Sequence, residues 1–289
     1  AFREFKARAG SAPVVRYFLG IFAMIGALAF LGCPWRALLR LSGGDLNAVV
    51  GLAGLAAGIA VGVAFLRRGY SLGRAHRGPA ALGWIMPLAF LGLLLMVIVK
   101  PSFIFFSEKG PGAMHAPLVI SLVAGLLIGV LAQRSRFCTM GSVRDVILLR
   151  DFHLISGVAA LVVAALVMNL ILGQFKLGIQ AMPIGHSAHL WNFLGMALAG
   201  LAFAMAGGCP GRQLFLAGEG DGDAGIFVLG MITGAAFAHN FALAGVPDKV
   251  VDGAVQVGGP GPNGQIAVVL GIVLCLVLGS VMRERWNKA

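Results

Sequence analysis

The sequence predicts an all-α polytopic membrane protein of about eight transmembrane helices, with short re-entrant half-helices and an inverted internal repeat. Three observations predict it. The first is composition: 59% of the 289 residues are hydrophobic and 11% charged, with a mean hydropathy of +0.92, beyond what a soluble domain carries. The second is a series of apolar runs at 14–31, 46–66, 81–99, 117–131, 154–172, 190–206, 226–244 and 266–282, most of them near the ~20 residues a span needs. The third is residues 207–225, G-G-C-P-G-R-Q-L-F-L-A-G-E-G-D-G-D-A-G, which put cysteine, arginine and glycines where lipid tolerates none of them. A copy stands 176 positions earlier: Cys33-Pro34-Trp35-Arg36 matches Cys209-Pro210-Gly211-Arg212, and Asp45/Asp221, Gly54/Gly230 and Gly58/Gly234 extend the match.

The whole chain, 1–289, reads as a single integral membrane domain with repeat-like segments at about 14–66, 117–172 and 190–244. A net charge of +11 would suit nucleic acid, but the 22 Lys and Arg sit in short clusters between apolar runs. That is the distribution of topology signals, and nucleic acid is excluded as a partner in favour of the lipid bilayer. No cleavable signal peptide is expected, because the first run leads into Gly32-Cys33-Pro34 without an A-x-A site. The four cysteines form no C-x-x-C pair and no P-loop is present, so neither a metal centre nor a cofactor is expected.

In chain order, Arg3, Lys6, Arg8 and Arg16 make a basic N-terminal tail. With eight crossings, one side carries Arg67, Arg68, Arg74 and Arg77, then Arg134, Arg136, Arg144 and Arg150, then Arg283, Arg285 and Lys288. The other carries little beyond Arg36, Arg40, Lys100, Lys109, Lys176 and Lys249. Positive-inside then puts both termini in the cytoplasm, in the inner membrane of a bacterium. Cys33 follows the first span and Cys209 the sixth, so the two copies run in opposite directions, the usual build of a secondary transporter or a pore with half-helices. A third, divergent copy lacking the proline is R-S-R-F-C-T-M-G-S-V-R-D, residues 134–145 around Cys138. The connections 102–117 and 173–188 read as loops, and 246–265, with G-G-P-G-P-N-G, as irregular.

Pro34 opens a helix-compatible stretch closed by Gly43-Gly44, which makes Cys33 an N-cap and the helix ~12 Å long, under half the bilayer core. Cys209 stands likewise before P-G-R-Q-L-F-L-A-G. Free N–H groups and the positive helix end attract an anion there, and Arg36, Arg212 and Arg136 lie close in sequence to add charge. Cysteine adds a soft sulfur that can meet another sulfur or selenium. The combination of Cys33, Cys138, Cys209, Arg36, Arg136 and Arg212 suits a small anion with a chalcogen terminus, such as thiosulfate. Bland readings take the rest: Cys275, Met205 and Met231 pack, Arg144 and Arg150 set topology, Asp45 and Asp221 cap the next spans, and His239-Asn240 is ambiguous between helix–helix hydrogen bonding and a pathway role.

G-G-C-P-G-R-Q-L, R-F-C-T-M-G-S-V-R-D, G-M-I-T-G-A-A-F-A-H-N-F and G-C-P-W-R together resemble the YeeE/YedE sulfur-transport membrane family over nearly the whole chain, and A-G-G-C-P-G-R-Q-L with E-G-D-G-D resembles its selenium-associated YedE branch. The resemblance implies an hourglass-shaped helical importer, not an enzyme, in which Cys33, Cys138 and Cys209 pass the anion inward. It also implies a separate cytoplasmic sulfur- or selenium-carrier protein that receives the cargo. Three rival readings of the residues stay open: a membrane thiol oxidoreductase, an aquaporin-like channel for a neutral solute, and a scaffold subunit.

Overall fold

The computed structural model describes residues 7–106, 108 and 115–283. Arg3, Lys6, Lys109, Arg285 and Lys288, and the middle of the 102–117 connection, lie outside the described residues. The chain folds as α1 (Pro13–Ala29), α2 (Pro34–Ser42), α3 (Asn47–Arg67), α4 (Ala80–Gly83), α5 (Ile85–Val99), α6 (Leu118–Ser135), α7 (Thr139–Leu149), α8 (His153–Ile171), α9 (His189–Ala206), α10 (Pro210–Gly218), α11 (Gly222–Asn240) and α12 (Pro262–Val281). Among the described residues, eight helical stretches are long and apolar enough to cross a membrane.

The repeat closes on itself through glycines. A Cβ on Gly54 of α3 would run into the Phe193 carbonyl of α9, and one on Gly230 of α11 into the Tyr17 carbonyl of α1. Gly58 faces the Ala197 carbonyl as Gly234 faces that of Ile21. Each contact maps onto the other by the same 176-residue shift, so α1–α2–α3 and α9–α10–α11 are related by a pseudo-two-fold. α1 and α9 cross antiparallel with Gly26 against Gly195, as an inverted repeat requires. Small residues are needed here because lipid gives no hydrophobic drive between helices, leaving close van der Waals approach to hold them. α9 lies at the centre of the bundle and is the most buried span; α5, α6 and α8 expose most of their apolar surface and face lipid.

One end of the bundle gathers the basic residues. Arg67 Nη2 donates to the Ile147 carbonyl at 2.8 Å. β1 (Arg8–Ala9) pairs antiparallel with β2 (His76–Arg77), so Arg8 of the tail belongs to a short ladder. The other end carries a cap. Contrary to an irregular reading of 246–265, β3 (Gly245–Val246) pairs with β6 (Gly259–Pro260), and β4 (Lys249–Val251) with β5 (Ala254–Gln256). The inner hairpin turns on Asp252-Gly253, both at positive φ (51° and 79°), the pattern a two-residue type I′ turn demands.

Asp221 is the N-cap of α11, its Oδ1 accepting from Ala224 N at 2.9 Å. Asp45 is not the N-cap of α3, which is Leu46; it pairs with Arg40 Nε at 2.7 Å and accepts from Asn47 N at 2.9 Å. His239 and Asn240 are exposed, and Asn240 Nδ2 bonds the Ala236 carbonyl of its own helix at 2.8 Å, so among the described residues this pair makes no helix–helix hydrogen bond. Cys275 is fully buried, as a packing residue would be.

The cap is pinned by Asp248, whose carboxylate accepts from the amides of Ser187 (3.0 Å), Gly258 (2.8 Å) and Ala181 (3.4 Å). Partial burial pushes its carboxyl up, but these amides outweigh that and hold it below the usual carboxylate range. Beneath lies His186, fully buried with Nε2 2.8 Å from the Ala29 carbonyl. Burial holds its pKa below the ordinary value against the pull of that carbonyl, Asp248 and Asp45, while the nearby Arg40 reinforces the shift.

Two predictions arise here. Gly58→Ala lowers thermal stability in detergent by about 2 kcal/mol, whereas Gly125→Ala, with open space around it, changes it by less than about 1 kcal/mol in the stabilising direction. A histidine kept neutral by the fold withdraws stability as pH falls below its free value of about 6.5. Deuterium exchange in 245–260, corrected for intrinsic rates, therefore speeds up between pH 7.5 and 5.5. Asp248→Ala speeds it at pH 7.5 as well, because a carboxylate with a depressed pKa stabilises at all pH above its free value.

Candidate functional site: the meeting of three half-helices

α2, α7 and α10 each begin at a cysteine. Cys33 and Cys209 are N-caps in extended conformation (ψ 170° and 166°), each followed by proline at the first helical position, where a missing N–H costs nothing. Cys138 is the N-cap of α7 with ψ 116°, and its Sγ accepts from Gly141 N at 3.3 Å. The chain has thus placed sulfur where serine or aspartate usually satisfies a helix start. α2 and α10 have 9 residues each and α7 has 11, so none crosses the bilayer alone.

The three starts meet. The thiols of Cys138 and Cys209 are neighbours, and the Thr139 side chain lies against the Cys209 sulfur. The Trp35 indole joins α2 to both others. Its ring is 5.5 Å, edge-on, from Phe137 and 6.0 Å from Phe215, and a Cβ on Gly211 would lie 2.7 Å from Trp35 Cζ2. Pro34 and Thr139, the first residues of α2 and α7, line one cavity of about 190 Å³ with Leu38, Leu55, Ser142 and Val143.

The remaining charges lie further out. Cys33 is half-buried. Arg36 is exposed, its stem lying across Gly32, and Arg136 is exposed at the end of α6, in the left-handed region at φ 53°. Arg212 pairs with Glu219 at 4.0 Å. The structure therefore brings Cys138 and Cys209 together, adds Trp35 and Thr139 to them, and leaves Arg36 and Arg136 toward solvent.

Sequence reasoning passed over Trp35, Thr139, Arg40 and His186. For Trp35 a signal existed: it and Gly211 are equivalent positions of the repeat. Equivalent residues that touch lie on the pseudo-axis, where one side chain fills the space of two, so tryptophan requires glycine opposite. Arg40 read as a loop charge, yet it is buried between Asp45, the Phe30 carbonyl (3.1 Å) and the Phe30 ring (4.4 Å from Cζ to the centroid). No local pattern marks such a residue.

Comparison with known proteins falls on the same elements. A family model described as Sulphur transport matches residues 134–289, which takes in α7, α9, α10 and α11. Two proteins named thiosulfate transporter TsuA are similar. The one from Spirochaeta thermophila is 31% identical over 160 residues, 52% of this chain and 47% of that protein. The one from Escherichia coli K12 is 32% identical over 111 residues, 37% of this chain and 30% of that protein. The matched chain thus spans about half the length of the first relative and less of the second. With more than half of its length matched by the family model, and with half-helix starts built on its cysteines, the chain belongs to the sulphur-transport family of YeeE/YedE membrane proteins.

Proposed function

We propose that this chain carries a small sulfur-containing anion, thiosulfate or a close analogue with selenium at the terminal position, across the bacterial inner membrane toward the cytoplasm. The observation that carries this reading is the approach of three helix N-termini, each with a cysteine at its N-cap position, two of those thiols buried side by side and the third half-buried. Helix starts supply positive potential without a titrating group. Thiols supply weak, exchangeable S–H contacts that a soft terminus can form and break at little cost. Cys33, half-buried, is the first station, and the Cys138–Cys209 pair the second. Arg36, Arg136 and Arg212 raise the potential toward the path without binding so tightly that release is slowed. The relatives named thiosulfate transporters fit this cargo. Movement is passive or driven by a gradient or by consumption of the cargo, which a separate cytoplasmic carrier protein takes up. The positive-inside rule makes the basic end, where the described chain enters and leaves the bundle, the cytoplasmic one.

A second reading has one observation in its favour. Two thiols in contact are a disulfide in waiting, which suits a membrane thiol oxidoreductase despite the lack of C-x-x-C.

Two experiments separate these readings. In proteoliposomes, labelled thiosulfate enters at a rate that falls at least about tenfold in Cys138→Ala and Cys209→Ala, and sulfite and selenite compete poorly; normal uptake in Cys33→Ala, Cys138→Ala and Cys209→Ala alike refutes the relay. In a Cys275→Ala background, mild oxidation joins Cys138 to Cys209, as mass mapping detects. On the transport reading that bond stops uptake and reduction restores it. On the oxidoreductase reading it exchanges with a quinone or thioredoxin partner at a turnover rate.

A further inference from the structure

Two buried donors at the junction reach no oxygen acceptor. Among the described residues, Trp35 Nε1 and Thr139 Oγ1 are enclosed and make no hydrogen bond to a nitrogen or oxygen, the Thr139 hydroxyl meeting only the soft Cys209 sulfur, and Thr139 is only 3% exposed. Buried donors in folded proteins nearly always find an acceptor, so two at one place mark an acceptor that arrives from elsewhere. They flank the thiol pair. Thr139 follows Cys138 and sits beside Cys209, and the six-membered ring of Trp35 stands over Gly211, two residues past Cys209, with the ring edge-on to Phe137, the residue before Cys138. The local acceptors are already taken. The Thr139 carbonyl accepts from Ser142 Oγ at 2.8 Å, and the carboxylates nearest in sequence are paired: Asp145 with Arg144, Glu219 with Arg212, Asp45 with Arg40.

We propose that Trp35 Nε1–H and Thr139 Oγ1–H are specificity residues that grip the oxygen end of the passing anion while Cys138 and Cys209 meet its chalcogen end. The junction is then a two-ended clamp. Thiosulfate or selenosulfate satisfies both ends. Sulfide or selenide has no oxygen and leaves both donors empty, and sulfate has no soft terminus for the thiols. A site built to hydrogen-bond a group discriminates strongly against an analogue that lacks it. This rests on the transport reading and adds to it the two residues that read the oxygen end and so reject bare chalcogenides.

Trp35→Phe keeps an aromatic ring and removes the N–H; Thr139→Val keeps the shape and removes the hydroxyl; Thr139→Ser restores it. Thiosulfate binding to purified protein, followed by thermal shift and titration, weakens about tenfold or more in Trp35→Phe and in Thr139→Val, and by less than about threefold in Thr139→Ser. Sulfide competes weakly in the wild type, and its competition is unchanged in the variants. Wild-type affinity in both Trp35→Phe and Thr139→Val, or sulfide competing as well as thiosulfate, overturns the proposal. Should Trp35→Phe fail to fold, the contrast between Thr139→Val and Thr139→Ser decides the same question. Binding that obeys this pattern without vesicle uptake upholds the clamp and refutes transport; a wild type that neither binds nor admits thiosulfate refutes both.

Discussion

A helix that begins inside a bilayer leaves its first N–H groups with no water to receive them, and most of this fold is arranged around three such beginnings. The starts of α7 and α10 are buried at their cysteines and that of α2 is half-buried, with Trp35 of α2 packed on Phe137 and Gly211, so protein rather than lipid surrounds most of the unsatisfied donors. Proline at the start of α2 and α10 removes one orphan donor from each. The Cys138 sulfur takes up another, on Gly141. What is left over is positive potential at a sulfur-lined point, the raw material of an anion path.

Holding those starts in place requires that the spans behind them not slide. The glycine faces do this at the centre, and buried ion pairs do it at the ends. Phe30 and Ala206, equivalent residues at the ends of α1 and α9, each present a carbonyl to an arginine: Arg40 Nη1 at 3.1 Å and Arg16 Nη1 at 3.0 Å. Arg40 also pairs with Asp45 at 2.7 Å, and Arg16 lies 3.8 Å from Asp223. The arginines come from non-equivalent positions, so the two ends reach one solution by different side chains: a cation at a helix C-terminus, tied by a carboxylate to the start of the next span. A pair this enclosed adds less to stability than to register, since desolvation offsets much of its attraction.

Much of this architecture is legible in the sequence. Apolar runs locate spans because length and hydrophobicity are what a bilayer demands, and the Cys-Pro-x-Arg repeat locates two half-helices because proline and glycine punctuate them. α7, without its proline, is legible only as a weaker copy. The cap is not, because the surrounding glycines and prolines mask an Asp252-Gly253 turn between alternating valines. Side-chain direction is hidden as well. Arg36 and Arg136 sit beside cysteines in sequence but face outward, while Arg40, four residues past Arg36, turns inward to Asp45. Trp35 shows the limit best. Its role follows from touching its own repeat partner, and a linear sequence records equivalence without contact.

Everything proposed for transport depends on one spatial claim, that the anion's route runs through the point where Cys138, Cys209, Trp35 and Thr139 meet. Selenosulfate carries its own anomalous scatterer, so a crystal of the protein equilibrated with it reports the route directly. The expected result is a selenium peak in contact with the sulfurs of Cys138 and Cys209. A peak confined to the basic end or to the hairpin cap, with the junction closed and empty at saturating anion, would contradict it.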